Sequence, residues 1–334
     1  MKIRYIQLYI SVITLEFDKK IVALAVIVIL AGISLYGFYQ YQTQKIQLVI
    51  LHAGSLTVPL HGVKTVFESQ NPNVEVLLEG HGSVDCARLI VEGNRTTDIL
   101  AVADYNVIIK YVMPANLTGW YIVFARNEMV IAFTNQSKYH DEINSTNWYQ
   151  ILAKPDVSYG HSDPNRDPAG YRTLLLWKLA DKYYNVSIYA TLIQSGESHV
   201  VRPKSVELIA LLESHDLDYA FEYKSIAVQH NLSYIELPPE MSLGDWTKAK
   251  LYGSVNVTLT DGTVIYGTPI LYGFTILKNA PHYELAVSFA KLLLSEQGDT
   301  IFENAGQPPI SPALASDLDK VPTPLQQYAT PFNP

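Results

Sequence analysis

Twice in the first hundred residues an apolar run ends in a Gly-Ser pair and a helical pattern begins. The two loops are His52-Ala53-Gly54-Ser55-Leu56 and Gly80-His81-Gly82-Ser83-Val84. Strand, short loop and helix in repetition drive a chain towards an α/β architecture with a largely parallel sheet. The loops carry chemistry as well. A helix start leaves its first N–H groups without intrahelical partners and bears partial positive charge, so a Gly-Ser placed there can hold a small anion without Lys or Arg. Taken singly, each loop is also an ordinary N-cap. Two of one design, about 30 residues apart in a βαβα pattern, argue for a shared role.

The pattern extends along the chain. Residues 46–51 read as a buried strand, and Leu56, Leu60, Val63 and Phe67 follow at helical spacing up to the turn Asn71-Pro72-Asn73. Residues 74–78 repeat the strand, 83–91 the helix, and 98–102 give a third strand. The apolar segment 121–133, interrupted by Arg126-Asn127-Glu128, can carry the chain from one lobe into another. A second α/β unit follows, with strands at 157–160 and 218–221 and helices at 170–184 and 205–214. Residues 255–259 and 264–266, joined by Asp261-Gly262, read as a hairpin. Residues 272–277 return to the first lobe, and Asn279 is expected to cap a helix whose apolar face includes Ala286, Phe289, Leu293 and Leu294. The Pro-rich tail from Pro308 is expected to wrap the surface.

Before all this, no charged residue lies between Lys20 and Lys45. At about 1.5 Å per residue such a stretch spans a bilayer. It ends in Leu35-Tyr36-Gly37-Phe38-Tyr39 rather than in small residues suited to cleavage, so an uncleaved transmembrane anchor over 21–44 is expected. Lys2, Arg4, Lys19 and Lys20 put residues 1–20 in the cytoplasm, and Tyr36, Phe38, Tyr39 and Tyr41 suit the outer interface. The remainder is then extracellular. Seven N-glycosylation acceptor triplets, starting at Asn94, Asn116, Asn135, Asn144, Asn185, Asn231 and Asn256, lean the same way.

Composition closes off several classes. With 334 residues there is room for an anchor and two lobes. The net charge of −8 and the lack of any long Lys/Arg cluster exclude nucleic acid as partner. Cys86 is the only cysteine, which excludes an intrachain disulfide, a Cys-based zinc site and a lipidated anchor cysteine; it reads as a buried, inert thiol.

Two further places can hold chemistry. His161-Ser162-Asp163-Pro164-Asn165-Arg166-Asp167-Pro168-Ala169-Gly170-Tyr171-Arg172 lies between a strand and a helix. Pro168 starts that helix, so Ala169 and Gly170 can present free N–H groups to a ligand; the bland reading is a well-built helix start. Phe221-Glu222-Tyr223 sits where a strand should end, a position in which a Glu is also simply solvated.

These motifs, in order, with Tyr272-Gly273-Phe274-Thr275 and Gly306-Gln307-Pro308-Pro309, resemble the archaeal tungstate/molybdate-binding proteins of ABC transporters over residues 46–315. The resemblance implies a two-lobed type II periplasmic-binding-protein fold, with lobe 1 formed by 46–125 plus 270–334 and lobe 2 by 126–269. It implies a tungstate or molybdate ion as cargo, an ABC permease as partner, a monomer, and no cofactor or catalysis. Ser55 and Ser83 would bind oxo groups, with Ala169, Gly170 and Tyr223 as further contacts. Asp167 and Glu222 resemble the two carboxylates that reach the metal and raise it to six-fold oxygen coordination. Asp163 competes with Asp167 for that role, since spacing alone does not say which turns inward. His52 and His81 flank the serines and are assigned positioning or incidental roles.

A carboxylate facing a dianion is repelled unless it is protonated. Hexavalent tungsten and molybdenum are hard centres with room for more oxygen ligands, so the acids would admit them and reject sulfate or phosphate. The alternatives are a sulfate, phosphate or ferric-ion binder and, more remotely, a surface-anchored hydrolase using Asp167 and Glu222 as acid and base. No Ser/His/Asp or zincin pattern supports the last.

Overall fold

Ile46–Ala53 (β1) alternates into a fully buried run at its end, so both faces of this strand must be covered. In the computed structural model, which describes residues 24, 26–32, 45–194 and 196–332, they are. A single turn, Gly54–Leu56, leads into Thr57–Gln70 (α1), whose buried Leu60, Val63 and Phe67 pack on the sheet. Val74–His81 (β2), Ser83–Val91 (α2) and Ile99–Val102 (β3) repeat the unit. Ile122–Asn127 (β4) closes the first pass through this lobe.

The chain crosses at Glu128. Met129–Phe133 (β5) belongs to a second sheet with Tyr159–Ser162 (β6), His199–Arg202 (β7), Tyr219–Tyr223 (β8) and Ser233–Glu236 (β9), in the order β7-β6-β8-β5-β9. Pro168–Tyr184 (α3), Val206–Glu213 (α4) and Lys224–Gln229 (α5) connect these strands. Asn256–Thr258 (β10) and Val264–Tyr266 (β11) form the expected hairpin. Ile270–Ile276 (β12) then returns to the first sheet, followed by Tyr283–Leu293 (α6), Glu296–Asn304 (α7), Pro309–Ala315 (β13) and Ala329–Pro331 (β14). The first sheet reads β14-β13-β4-β12-β3-β1-β2.

Three expectations need correction. The sheets are mixed rather than largely parallel: β1 and β3 run parallel, but β12 is antiparallel to β3 and β4, and β5 is antiparallel to β8 and β9. Each crossing strand, β4, β5 and β12, runs antiparallel to the strands it pairs with. The tail does not merely wrap the surface, because β13 pairs with β4 and β14 with β13, extending the first sheet. Asn279 does not cap α6. Asp98, fully buried, accepts from His282 N at 2.7 Å and from Val49 N at 2.9 Å, and so fixes the helix start at His282.

The chain divides into residues 1–46 and 47–334. Within the first part, residues 24 and 26–32 are helical and exposed. No helix among the described residues is long and apolar enough to cross a membrane; most of the expected anchor at 21–44 lies outside them.

The core of the second lobe is aromatic. Trp148, Tyr159, Trp177, Tyr219 and Phe221 are all fully buried. His161 sits among them, 2% exposed, its ring 4.8 Å from that of His199 and 5.3 Å from Trp177. Its Nδ1 donates to Ser162 O at 2.6 Å, while Nε2 has no partner. Burial pulls its pKa down to about 4. The unfolded chain takes up this proton at about 6.5 and the folded chain near 4, so stability falls as pH drops through that window and is flat below it. The loss at His161 is expected to be about 3 kcal/mol. Urea unfolding at a series of pH values should show this slope in the wild type and a weaker one in His161→Phe.

Candidate functional site

The two serine loops touch. A Cβ on Gly80 would lie 3.0 Å from His52 Cε1 and 3.5 Å from Thr57 Oγ1, so the absence of a side chain there lets the loops close on each other. Neither serine caps a helix. The N-cap of α1 is Leu56 and that of α2 is Gly82, both without a side-chain capping bond. Ser83 Oγ instead accepts from Ala103 N at 3.0 Å, and Ser55 O accepts from Gln307 Nε2 at 2.7 Å. Both serines are half-buried, and the first-turn N–H groups of α2 are left for another acceptor.

The histidines beside them differ. His81 is exposed, whereas His52 is buried, with Nδ1 donating to Ala53 O at 2.8 Å, and burial lowers its pKa. Cys86 is buried with Sγ 3.3 Å from His52 O, and burial pushes its thiol up to about 11. It is unreactive as a nucleophile.

In the second lobe, α3 starts at Pro168, and Asp167 caps it. Asp167 Oδ1 accepts from Ala169 N at 3.0 Å and Oδ2 from Ser205 N at 2.8 Å. Gly170 N donates to Asp167 O at 3.0 Å. The N–H groups of Ala169 and Gly170, expected to be free for a ligand, are therefore both engaged. Ala169 is the second residue of the helix, the usual partner of a capping side chain, and Pro168 before it has no N–H to satisfy. Gly170 has a different necessity. A Cβ there would stand 2.2 Å from Ser162 O and 2.6 Å from Pro164 N, so only glycine lets α3 lie against the loop that precedes it.

Asp163 turns the other way. Its Oδ1 accepts from Asn165 N and Nδ2, each at 2.9 Å, and those bonds hold its pKa below the usual range. Glu222, on β8, is fully buried, and neither carboxylate oxygen has a hydrogen-bond partner. Burial first, and the Asp167 charge second, push its carboxyl well above the usual carboxylate range, against the weaker pull of the nearby Tyr223 backbone N–H, which falls short of a full hydrogen bond. The Oγ of Ser162, also fully buried, is likewise unpartnered.

Beside this pair stands a cation that the motif contained but the sequence reading did not single out. Arg172 is 8% exposed, and its Nη1 donates to Tyr223 Oη at 2.6 Å. Burial alone would lower its pKa, but Tyr223, Tyr171 and Asp104 outweigh that and hold it charged. The same burial raises the Tyr223 phenol. Asp104 follows β3 and adjoins Ala103, the residue bound to Ser83. The chain of neighbours thus runs from Ser83 through Asp104 and Arg172 to Tyr223, next in sequence to Glu222. Among the described residues no group of three or more His, Cys, Asp or Glu side chains is placed to hold a metal ion by itself. The serine loops offer neutral donors, and the Glu222 region offers two acids and the buried Arg172 cation.

The model of a family described as bacterial extracellular solute-binding protein matches residues 48–307. Molybdate/tungstate-binding protein WtpA of Pyrococcus abyssi is 42% identical over 90% of this chain and 95% of its own length. The protein of that name from Thermococcus kodakarensis is 44% identical over 80% of this chain and 83% of its own. The solved periplasmic molybdate-binding protein of Azotobacter vinelandii, 16% identical, aligns over 78% of this chain and 98% of its own with a TM-score of 0.54, a likeness of fold.

Proposed function

The chain belongs to the family of bacterial extracellular solute-binding proteins, and from that premise we propose that it captures tungstate or molybdate between its two lobes and passes the ion to an ABC permease. The family is one of binding proteins rather than enzymes. The observation that carries the reading is Glu222: a fully buried carboxyl with two unpartnered oxygens, close enough to Asp167 to feel its charge. An unpaired buried carboxyl is costly and is kept only where something else pairs with it. From a sulfate or phosphate this raised, protonated acid gains no more than a hydrogen bond. A tungsten or molybdenum centre accepts the carboxylate oxygen directly.

Ser55 and Ser83 hold oxo groups from lobe 1, residues 46–125 plus 270–334. Asp167 and Glu222 reach the metal from lobe 2, residues 126–269, while Arg172 keeps Tyr223 in place. Of the two competing aspartates, Asp167 is favoured because its charge is the one felt at Glu222, while Asp163 holds its own turn through Oδ1. The charge-free stretch 21–44 tethers a monomer to the membrane with the lobes outside, near the permease. The seven acceptor asparagines are all exposed, as glycosylation would require.

Calorimetric titration of the full-length protein with four anions tests the reading. Tungstate and molybdate should each bind at least about a hundredfold more tightly than sulfate or phosphate, a difference of about 2.7 kcal/mol. Comparable binding of sulfate would remove the selectivity argument.

A further inference from the structure

Behind the site runs a buried line of amide and hydroxyl groups that the binding of an oxyanion does not itself require. Gln307 Nε2 donates to Ser55 O at 2.7 Å and to Tyr272 Oη at 3.2 Å. Asn127 Nδ2 donates to the same hydroxyl at 2.9 Å and to Ser225 Oγ at 2.8 Å. Asn127 Oδ1 accepts from Glu128 N at 2.9 Å and Ser225 N at 3.4 Å. Gln307, Asn127 and Ser225 are fully buried and Tyr272 is 1% exposed.

The positions in the chain give the line its meaning. Ser55 belongs to the first anion loop. Asn127 ends β4, where the chain leaves the first sheet, and Tyr272 lies on β12, which brings it back. Ser225 is the second residue of α5, three residues after Glu222. Next to Gln307, Gly306 has φ +73°, and a Cβ there would lie 2.9 Å from Ser225 Cα. Glycine therefore allows the 305–307 segment and α5 to approach this closely, and Gln229 Nε2 donates across the same junction to Ala305 O at 3.1 Å. Gln307 Oε1 has no partner. A position needed only for packing would carry an aliphatic side chain and avoid that cost.

We propose that Gln307 and Asn127, joined through the Tyr272 hydroxyl, are positioning residues that tie the Ser55 loop of one lobe to the Glu222 segment of the other. The placement of the serine donors then depends on the geometry of the crossing strands. A change in the angle between the lobes is transmitted to the anion loop through hydrogen bonds rather than through bulk packing, because buried amides must keep partners as the segments move. Neither residue touches the ion. The inference rests on the oxyanion-binding reading above.

The test compares Gln307→Met, Gln307→Glu and Tyr272→Phe in tungstate titrations, each read against the wild type at the same pH. Loss of a buried donor to Ser55 O should lower the affinity of Gln307→Met by about tenfold or more at both about pH 5 and about pH 8. Gln307→Glu should lose as much at about pH 8 and regain most of it at about pH 5, since the buried carboxyl takes up a proton there and can again donate to Ser55 O. Tyr272→Phe keeps its ring in the core, so it should fold and still lose about threefold to tenfold. Affinity of Gln307→Met within about twofold of wild type overturns the proposal. So does a loss in Gln307→Glu that is the same at both pH values, which would mark a role in packing alone. A wild type that binds neither tungstate nor molybdate would instead overturn the oxyanion reading on which the proposal stands.

Discussion

Glu222→Gln should abolish tight tungstate binding and, in the same protein, raise the thermal midpoint of the unliganded form at neutral to alkaline pH. The two effects have one origin. The carboxyl is fully buried with no full hydrogen bond to either oxygen, and both burial and Asp167 disfavour its charged form. Its pKa is raised on folding, so its contribution to stability is intact below about 4.5 and is lost as pH rises through the folded-state value. Gln does not titrate. The variant should match the wild type in stability near pH 4.5 and exceed it by a few degrees at about pH 8. Its tungstate affinity should fall by at least about a hundredfold, since an amide oxygen brings no charge to the metal. Scanning calorimetry and titration on the same preparation read both quantities. A variant less stable than wild type at about pH 8 would mean that Glu222 has a structural partner. Such site residues, kept at the expense of stability, are expected where binding sets the sequence.

Asp167→Asn and Asp163→Ala should separate the two aspartates that spacing alone left in competition. Asp167 uses Oδ1 on Ala169 N and Oδ2 on Ser205 N, and each oxygen retains a lone pair for a metal. Asn keeps the cap on Ala169 N but turns an amide donor toward Ser205 N, so Asp167→Asn should fold with a loss of about 1–3 kcal/mol. It should nevertheless bind tungstate at least about thirtyfold more weakly, having lost the charge. Removing that charge also takes away one cause of the Glu222 shift, so the decline of stability with rising pH should become shallower. Asp163→Ala breaks only a turn with Asn165 and should bind within about threefold of wild type. If Asp163→Ala loses binding and Asp167→Asn does not, the two roles are reversed.

How much could be read beforehand depended on how local the cause was. The helix 83–91 was legible in full, because its apolar spacing and Gly-Ser start lie within one short segment. Glu222 and Asp167 were legible only as members of a motif set. What makes them informative is that one is unpartnered and the other sits within its field, a fact about β8 and α3 together. Strand direction was not legible, since β12 and β13 join the first sheet from the far end of the chain. Pro309 and Pro312 disguised β13 further, as prolines argue against a strand interior. The free N–H groups expected at Ala169 and Gly170 failed for a local reason that spacing did not resolve: Asp167 turns back to cap its own helix. Arg172 stood in the motif but carried no signal of burial, which came only from the two tyrosines packed around it.

The central claim is that two carboxylates reach the metal atom itself. X-ray absorption at the tungsten edge of the tungstate-loaded protein counts the oxygens around that atom directly. Six neighbours are expected in the wild type, four from the ion and one each from Asp167 and Glu222, with fewer in Glu222→Gln. Four neighbours in the wild type, as in free tungstate, would contradict it.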